Sequence, residues 1–194
     1  MARARLDPKA RRAQLVDIAY QLLDRRGLDT MSVDDVADAA GVSRSLVYAY
    51  FGDRDGLVAE VYLRVLSELD QALALPLPRD RAQLVEVIAR CMAFAHDRPT
   101  AWQLLATDSV RRHPLIVQAR IDRVDRLAKA AGSDGAGDRL VADAMLGLIE
   151  AGVWHWVDRS DMAEQHAADV LAGVLWCGLG SHPPRDPTPS DPAV

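Results

Sequence analysis

Aromatic side chains make up only 5% of this 194-residue sequence, and it has just two cysteines. Scarce aromatics beside abundant Ala, Leu and Val favour helices over a sheet. Cys91 and Cys177 lie far apart inside apolar stretches, which fits a reducing compartment and gives no evidence for a disulfide framework. No apolar signal segment stands at the N-terminus, and no run reaches the roughly 18–20 apolar residues of a membrane span. A cytoplasmic chain with no membrane partner is therefore expected. Metal binding lacks support as well. Cys91, His96, His113 and Cys177 contain no compact ligand pair of the kind zinc sites use. Nor is there a nucleophile elbow, a phosphate-cradling glycine loop or a HExxH pair. No enzyme, metal or cofactor is expected.

What is present is apolar and helical. Hydrophobic residues form 49% of the chain, enough for a packed core in one or two small domains. The net charge of -5 argues against a protein coated in positive charge. Its distribution is uneven: residues 1–54 carry +1 and the remainder -6. Arg3, Arg5, Lys9, Arg11 and Arg12 face only Asp7 in the first twelve residues. A basic arm ahead of an acidic body suits a protein with one nucleic-acid face.

Local signals divide the chain. Asp7-Pro8 is a helix start, because Pro at the first helical position loses no hydrogen bond. Leu15, Ile18, Ala19 and Leu22 share one helical face, so a first helix spans 8–26 and stops at Gly27. Ser32 caps a second helix over 33–40, and Ser43 caps a third over 44–50. Gly41 sits between them where the chain must turn with positive φ, which glycine takes at no steric cost. Val36, Ala40, Val42, Val47 and Tyr50 point inward, and Ala37 stands where two helices cross closely. Arg54 or Asp55 opens a long helix to about 73, stopped by the prolines at 76 and 78. Further helices are expected over about 80–97, 100–110, 114–131, 138–159 and 162–179. GSDGAG (132–137) reads as a flexible linker. The last two helices carry Ala144, Gly147, Ala151, Gly152, Ala168, Ala172 and Gly173, which suggests that another backbone approaches closely. Residues 1–6 and the proline-rich 181–194 read as disordered.

Two short helices joined by a tight turn describe a helix-turn-helix. The stretch SVDDVADAAGVSRSLVYAYFGDRDGL (32–57), with RAQLVDIAYQLLDRRGLD before it, resembles the N-terminal domain of tetracycline-repressor-like (TetR-family) transcriptional regulators. Val47-Tyr48-Ala49-Tyr50-Phe51 is close to the family's Leu-Tyr-x-Tyr/His-Phe, and Arg54 follows where the family usually has Lys. The resemblance covers about residues 12–58 closely and the helix count of the rest loosely.

The resemblance implies an all-α fold. A three-helix helix-turn-helix domain with its arm (1–53) precedes a helical ligand-binding and dimerisation domain (54–180) and a tail (181–194). It implies phosphate contacts from Ser32, Tyr48 and Arg54, and base or groove contacts from Ser43, Arg44, Ser45 and Ala49. A helix N-terminus favours a phosphate, and an arginine near the start of a recognition helix can meet a guanine edge bidentately. The partners so implied are a double-stranded palindromic operator, a small-molecule effector and a second copy held through the last two helices. The function implied is a ligand-responsive regulator, a repressor released by its effector. Asp34 and Asp35 depart from the pattern, since acids are repelled by phosphates. They motivate an alternative, a small-molecule sensing module whose helix-turn-helix no longer binds DNA. Tyr50 and Phe51 are expected in the core and Tyr48 on the DNA side.

Candidate effector contacts are Cys91, Phe94, Trp102, Glu150 and Trp154. The tryptophans, Trp156 and Trp176 among them, are either core and interface residues or the lining of a pocket. Glu150, in the apolar stretch MLGLIEAGVW, is solvent-facing, paired across an interface, or the polar anchor of a pocket.

Overall fold

Asp7 accepts hydrogen bonds from the amides of Lys9 and Ala10, at 2.9 and 3.1 Å, and so opens the first helix. The computed structural model describes residues 7–28, 31–73, 77–132, 135–159 and 162–180, and among these it is helical throughout, with no strand. The expectations for the basic arm, including Arg3 and Arg5, and for the tail lie outside the described residues. The helices are α1 (Pro8–Arg26), α2 (Val33–Ala40), α3 (Arg44–Phe51), α4 (Arg54–Ala72), α5 (Arg81–Asp97), α6 (Pro99–Ala106), α7 (Asp108–Arg111), α8 (Pro114–Ala130), α9 (Ala136–Arg159) and α10 (Glu164–Gly180).

Helices α1 to α3 close around Leu15, Ala19, Leu23, Val36, Ala40 and Val47, all buried. Val42 and Tyr50 pack against this cluster only partly buried. Val16 is buried too, on the same face as Ala19 and Leu23, three and seven residues on. Ser32 and Asp35 form a reciprocal capping box at the start of α2, each side chain accepting the other residue's backbone N–H. Gly41 has φ 62° and ψ 43°, the left-handed conformation that lets Val42 N–H return to the Ala37 carbonyl at 3.0 Å. The core then runs without a break through Leu57, Val61 and Val65 of α4 into α5, α6 and α10.

Two of these expectations change. The helix expected over 100–110 is two, because the backbone turns extended at Thr107 (φ -76°, ψ 113°) while its hydroxyl bonds the Gln103 carbonyl at 2.8 Å. Within the chain itself, the glycines of the last two helices meet side chains rather than another backbone. A Cβ on Gly152 would lie 2.4 Å from the Leu171 side chain of α10, so Gly152 admits a neighbouring leucine. On Gly147 and Gly173 the nearest atoms would be arginine nitrogens, at 3.9 and 3.8 Å. Finally, α9 is long and apolar enough to cross a membrane by length and composition, contrary to the expectation that no segment would be. Only 6% of its most apolar eighteen-residue stretch is buried within the chain.

Candidate nucleic-acid interface and effector cavity

Helix α3 buries Val47 and Phe51 and leaves Ser43, Arg44, Ser45, Tyr48 and Ala49 exposed, Tyr48 at 43%. Three and four residues apart, these side chains form one outward face, the geometry required of a helix that enters a groove. Ser43 also caps α3, accepting the Leu46 amide at 3.3 Å.

The two acids next to this face both have partners inside the chain. Asp34 forms an ion pair with Nε of Arg44 across the turn. The pair fixes one edge of the guanidinium and leaves its Nη groups free to address a ligand. Asp35 closes the capping box and pairs with Arg26 at 2.9 Å. Hydrogen bonds from the Ser32 hydroxyl and amide, and then Arg26, hold its carboxyl below the ordinary carboxylate range.

Two arginines brace the domain from within. Arg54 donates from Nε to the Met31 carbonyl at 3.0 Å and from Nη2 to the Leu28 carbonyl at 2.6 Å. It therefore ties the α1–α2 connection to the start of α4. Its expected phosphate contact rests on the Nη1 group, 3.9 Å from Asp55, together with the remaining Nη2 hydrogen. Arg12, counted in sequence as part of a basic arm, instead donates to the Tyr50 carbonyl at 2.9 Å and to Glu60 at 2.6 Å. Its guanidinium lies over the Phe51 ring, 5.1 Å from the centroid. Ser32 spends its hydroxyl on the capping box, so a phosphate would meet it through the helix N-terminus.

Below the head, α4, α5, α6, α8 and α9 line a half-open cavity of about 860 Å³, with Trp176 of α10 at its wall. Cys91, Trp102 and Glu150 line it together, as three of the five candidates require. Phe94 does not: it is buried beneath Arg98, whose guanidinium lies 5.4 Å from the ring centroid. Trp154 is 38% exposed on α9, away from the cavity. The lining residues that sequence reasoning missed include Leu69, Arg123, Leu127, Met145 and Ile149. α8 is amphipathic but α9 is apolar nearly all round, so no local pattern shows which of their residues meet α4 around a space.

Burial pushes the Cys91 thiol up to about 12. Glu150 accepts from Arg111 and, at 3.1 and 3.3 Å, from Arg120, which also donates to Asp143 at 2.8 Å. Burial works to lower the Arg120 pKa, but Glu150 and Asp143 outweigh it and the net shift is upward. Arg111 is also the hydrogen-bond partner of Tyr62 on α4, whose phenol is raised mainly by burial. Among the described residues no cluster of three or more His, Cys, Asp or Glu suits a metal.

Comparison with known proteins agrees with this arrangement. Residues 15–61 match the family model described as bacterial regulatory proteins, tetR family. The chain is 30% identical over 148 residues to the transcriptional regulator BetI of Brucella anthropi, covering 63% of this chain and 76% of that one. Further BetI proteins match over about a third of their own length. The repressor KstR2 of Rhodococcus jostii is 26% identical over 173 residues, covering 87% of this chain and 78% of that one. A tetR-family regulator from Streptomyces coelicolor has the same fold, with a TM-score of 0.66 at 23% identity, over 90% of this chain and 82% of that one. With the helix-turn-helix in place and three quarters of a regulator's length aligned, this chain belongs to the TetR family of DNA-binding, ligand-responsive transcriptional regulators.

Proposed function

We propose that the chain is a homodimeric repressor that binds a palindromic operator through α3 and releases it when an effector fills the α4–α9 cavity. The observation that carries this reading is the outward face of α3. Five side chains of the right size and polarity are exposed there, on a helix braced from behind by Arg12. Arg44 reads a base edge, Ser43, Ser45 and Ala49 allow close approach, and Tyr48, Arg54 and the N-terminus of α2 near Ser32 meet phosphates. Asp34 and Asp35 both serve the fold, as ion-pair and capping partners, so they no longer favour a module that has lost DNA.

Dimerisation through α9 and α10 is supported by what those helices leave uncovered. Leu140 is 71% exposed and Val174 56%, with Trp154, Val170 and Trp176 exposed on the same two helices. A soluble regulator covers such a surface with a second copy rather than water. The chain acts in the cytoplasm, where its relatives' regulatory role places DNA within reach. Repression is the reading favoured by KstR2, whose name describes a repressor.

The effector acts through differential affinity for two arrangements of the dimer. Glu150 stands in the cavity wall, holds Arg111, and through it touches Tyr62 on α4, the helix that begins at Arg54. A ligand that shifts α9 therefore pulls on the helix beneath the head. Anisotropy with labelled DNA from upstream of the protein's own gene tests the function. Affinity should fall steeply with salt, as phosphate neutralisation requires, and a flat dependence contradicts the reading.

A further inference from the structure

Positive charge on one side of the cavity exceeds what the neighbouring acid takes up, and this imbalance narrows the ligand. The inference rests on the reading of the α4–α9 cavity as the effector site. Most of the wall is apolar, with Leu69, Leu73, Leu84, Met145 and Ile149 prominent, and at about 860 Å³ it lies near the upper end of small-molecule sites. Where α8 passes α4, Arg123 and Arg126 stand three residues apart on one helical face and line the cavity. Both turn to the single carboxylate of Asp70, Arg123 at 3.0 Å from one oxygen and Arg126 at 3.7 Å from the other. Two guanidinium groups thus share one acid. The Arg123 side chain is mostly buried, whereas that of Arg126 is 63% exposed and marks the open side.

The remaining acids of the wall are engaged elsewhere. Glu150 is held by Arg111 and Arg120, and Arg120 also pairs with Asp143. Asp138 lies in the first turn of α9 with its carboxylate folded back over Gly135, where a Cβ would stand 2.9 Å from it, and a helix N-terminus favours an acid there. Among the charges that act on the Cys91 thiol, Arg123 has the largest effect, ahead of Glu150 and Asp70. A guanidinium carries more N–H donors than one carboxylate oxygen can use, so an anion entering beside α8 finds donors to receive it. A cation would have to displace an existing partner from an acid. We propose that the effector is a predominantly apolar monocarboxylate, its carboxylate received by Arg126 and Arg123 and its hydrocarbon lying over Leu69 and Leu73 toward Met145 and Ile149. A planar guanidinium suits this task, because it receives a carboxylate through two parallel hydrogen bonds.

Tryptophan fluorescence of the full chain reads both affinity and place, since Trp102 and Trp176 line the cavity and a bromine atom quenches an indole on contact. The probes are ω-bromoundecanoate, ω-bromoundecanol and ω-bromoundecyl-trimethylammonium, each kept below the concentration at which it aggregates. The acid should bind at least about tenfold more tightly than the ammonium. Arg126→Gln, a change at an exposed side chain, should weaken the acid by about threefold to tenfold and move the alcohol by less than about twofold. Asp70→Asn removes the competing carboxylate and should tighten the acid by about threefold or more, the opposite of what loss of a merely structural ion pair would do. The proposal is overturned if the acid does not bind, if the ammonium binds as tightly, if Arg126→Gln moves acid and alcohol alike, or if Asp70→Asn fails to tighten the acid. The site itself is tested separately by the Trp102→Phe/Trp176→Phe double variant, in which most quenching by acid and alcohol should disappear. Quenching that persists there removes the site and the ligand assignment with it, whereas lost quenching without the charge preference keeps the site and overturns only the ligand class.

Discussion

Replacing Arg54 with alanine separates a bracing role from a DNA contact. The wild-type guanidinium makes two charge-assisted hydrogen bonds to the Leu28 and Met31 carbonyls, from a side chain 40% exposed. Such bonds contribute about 1.5–3 kcal/mol each when well shielded. Partial exposure lets water replace part of each one, so the pair should be worth about 1.5–3 kcal/mol in total. With a urea dependence of about 1–3 kcal/mol per molar, the unfolding midpoint should fall by about 1 M. The assay is urea unfolding followed by circular dichroism at fixed protein concentration, with DNA affinity measured in parallel. Arg54→Lys completes the test, because an ammonium keeps the charge near a phosphate but cannot fork between two carbonyls. The bracing account expects Lys to restore DNA affinity more than stability. An unchanged midpoint in Arg54→Ala, with DNA binding weakened, would refute the bracing account and leave Arg54 as a phosphate contact only.

Arginine at both Val170 and Val174 should convert the dimer to monomers in analytical ultracentrifugation and abolish tight operator binding; unchanged sedimentation would place the interface elsewhere. The buried Cys91 thiol, raised to about 12, should react with a disulfide reagent at pH 8 about three orders of magnitude more slowly than an ordinary thiol, and more slowly than Cys177 once the Val170 and Val174 substitutions have uncovered α10. Two thiols reacting promptly in the native chain would show that the cavity wall opens. Asp35 has a folded pKa below its unfolded one, so its contribution is present above the unfolded value and is lost as pH falls through the folded value. Stability should therefore decline below about pH 4, and Asp35→Asn should remove that part of the decline while lowering stability at neutral pH. An acid limb identical in the variant would remove the capping box from the account.

The helix-turn-helix was legible because its signals are local. Asp7-Pro8, Ser32, Gly41 and Ser43 each act within four residues, and the boundaries of α1 and α2 fall where they indicate. The break at Thr107 was not legible, since a single threonine carries little turn information. Partnerships across the fold were also out of reach. Asp34 looked anomalous until Arg44 stood beside it, and Arg12 passed for part of a basic arm until Tyr50, Phe51 and Glu60 surrounded it. Glu150 admitted three readings because its partners are thirty and thirty-nine residues away, on α8 and α7. The cavity depends on five helices meeting, so Cys91 and Trp102 were found by composition while Arg123 and Met145 were missed.

Selection of binding sites from randomised duplex DNA tests the central claim most directly, with the full chain and Arg44→Ala run side by side. The account predicts an inverted repeat bound by two chains, with half-sites about 34–36 Å apart, or a multiple of that. Arg44→Ala should lose preference at one position of each half-site while Tyr48→Phe weakens binding evenly. An unenriched pool, or an unsymmetric site bound by one chain, would contradict it.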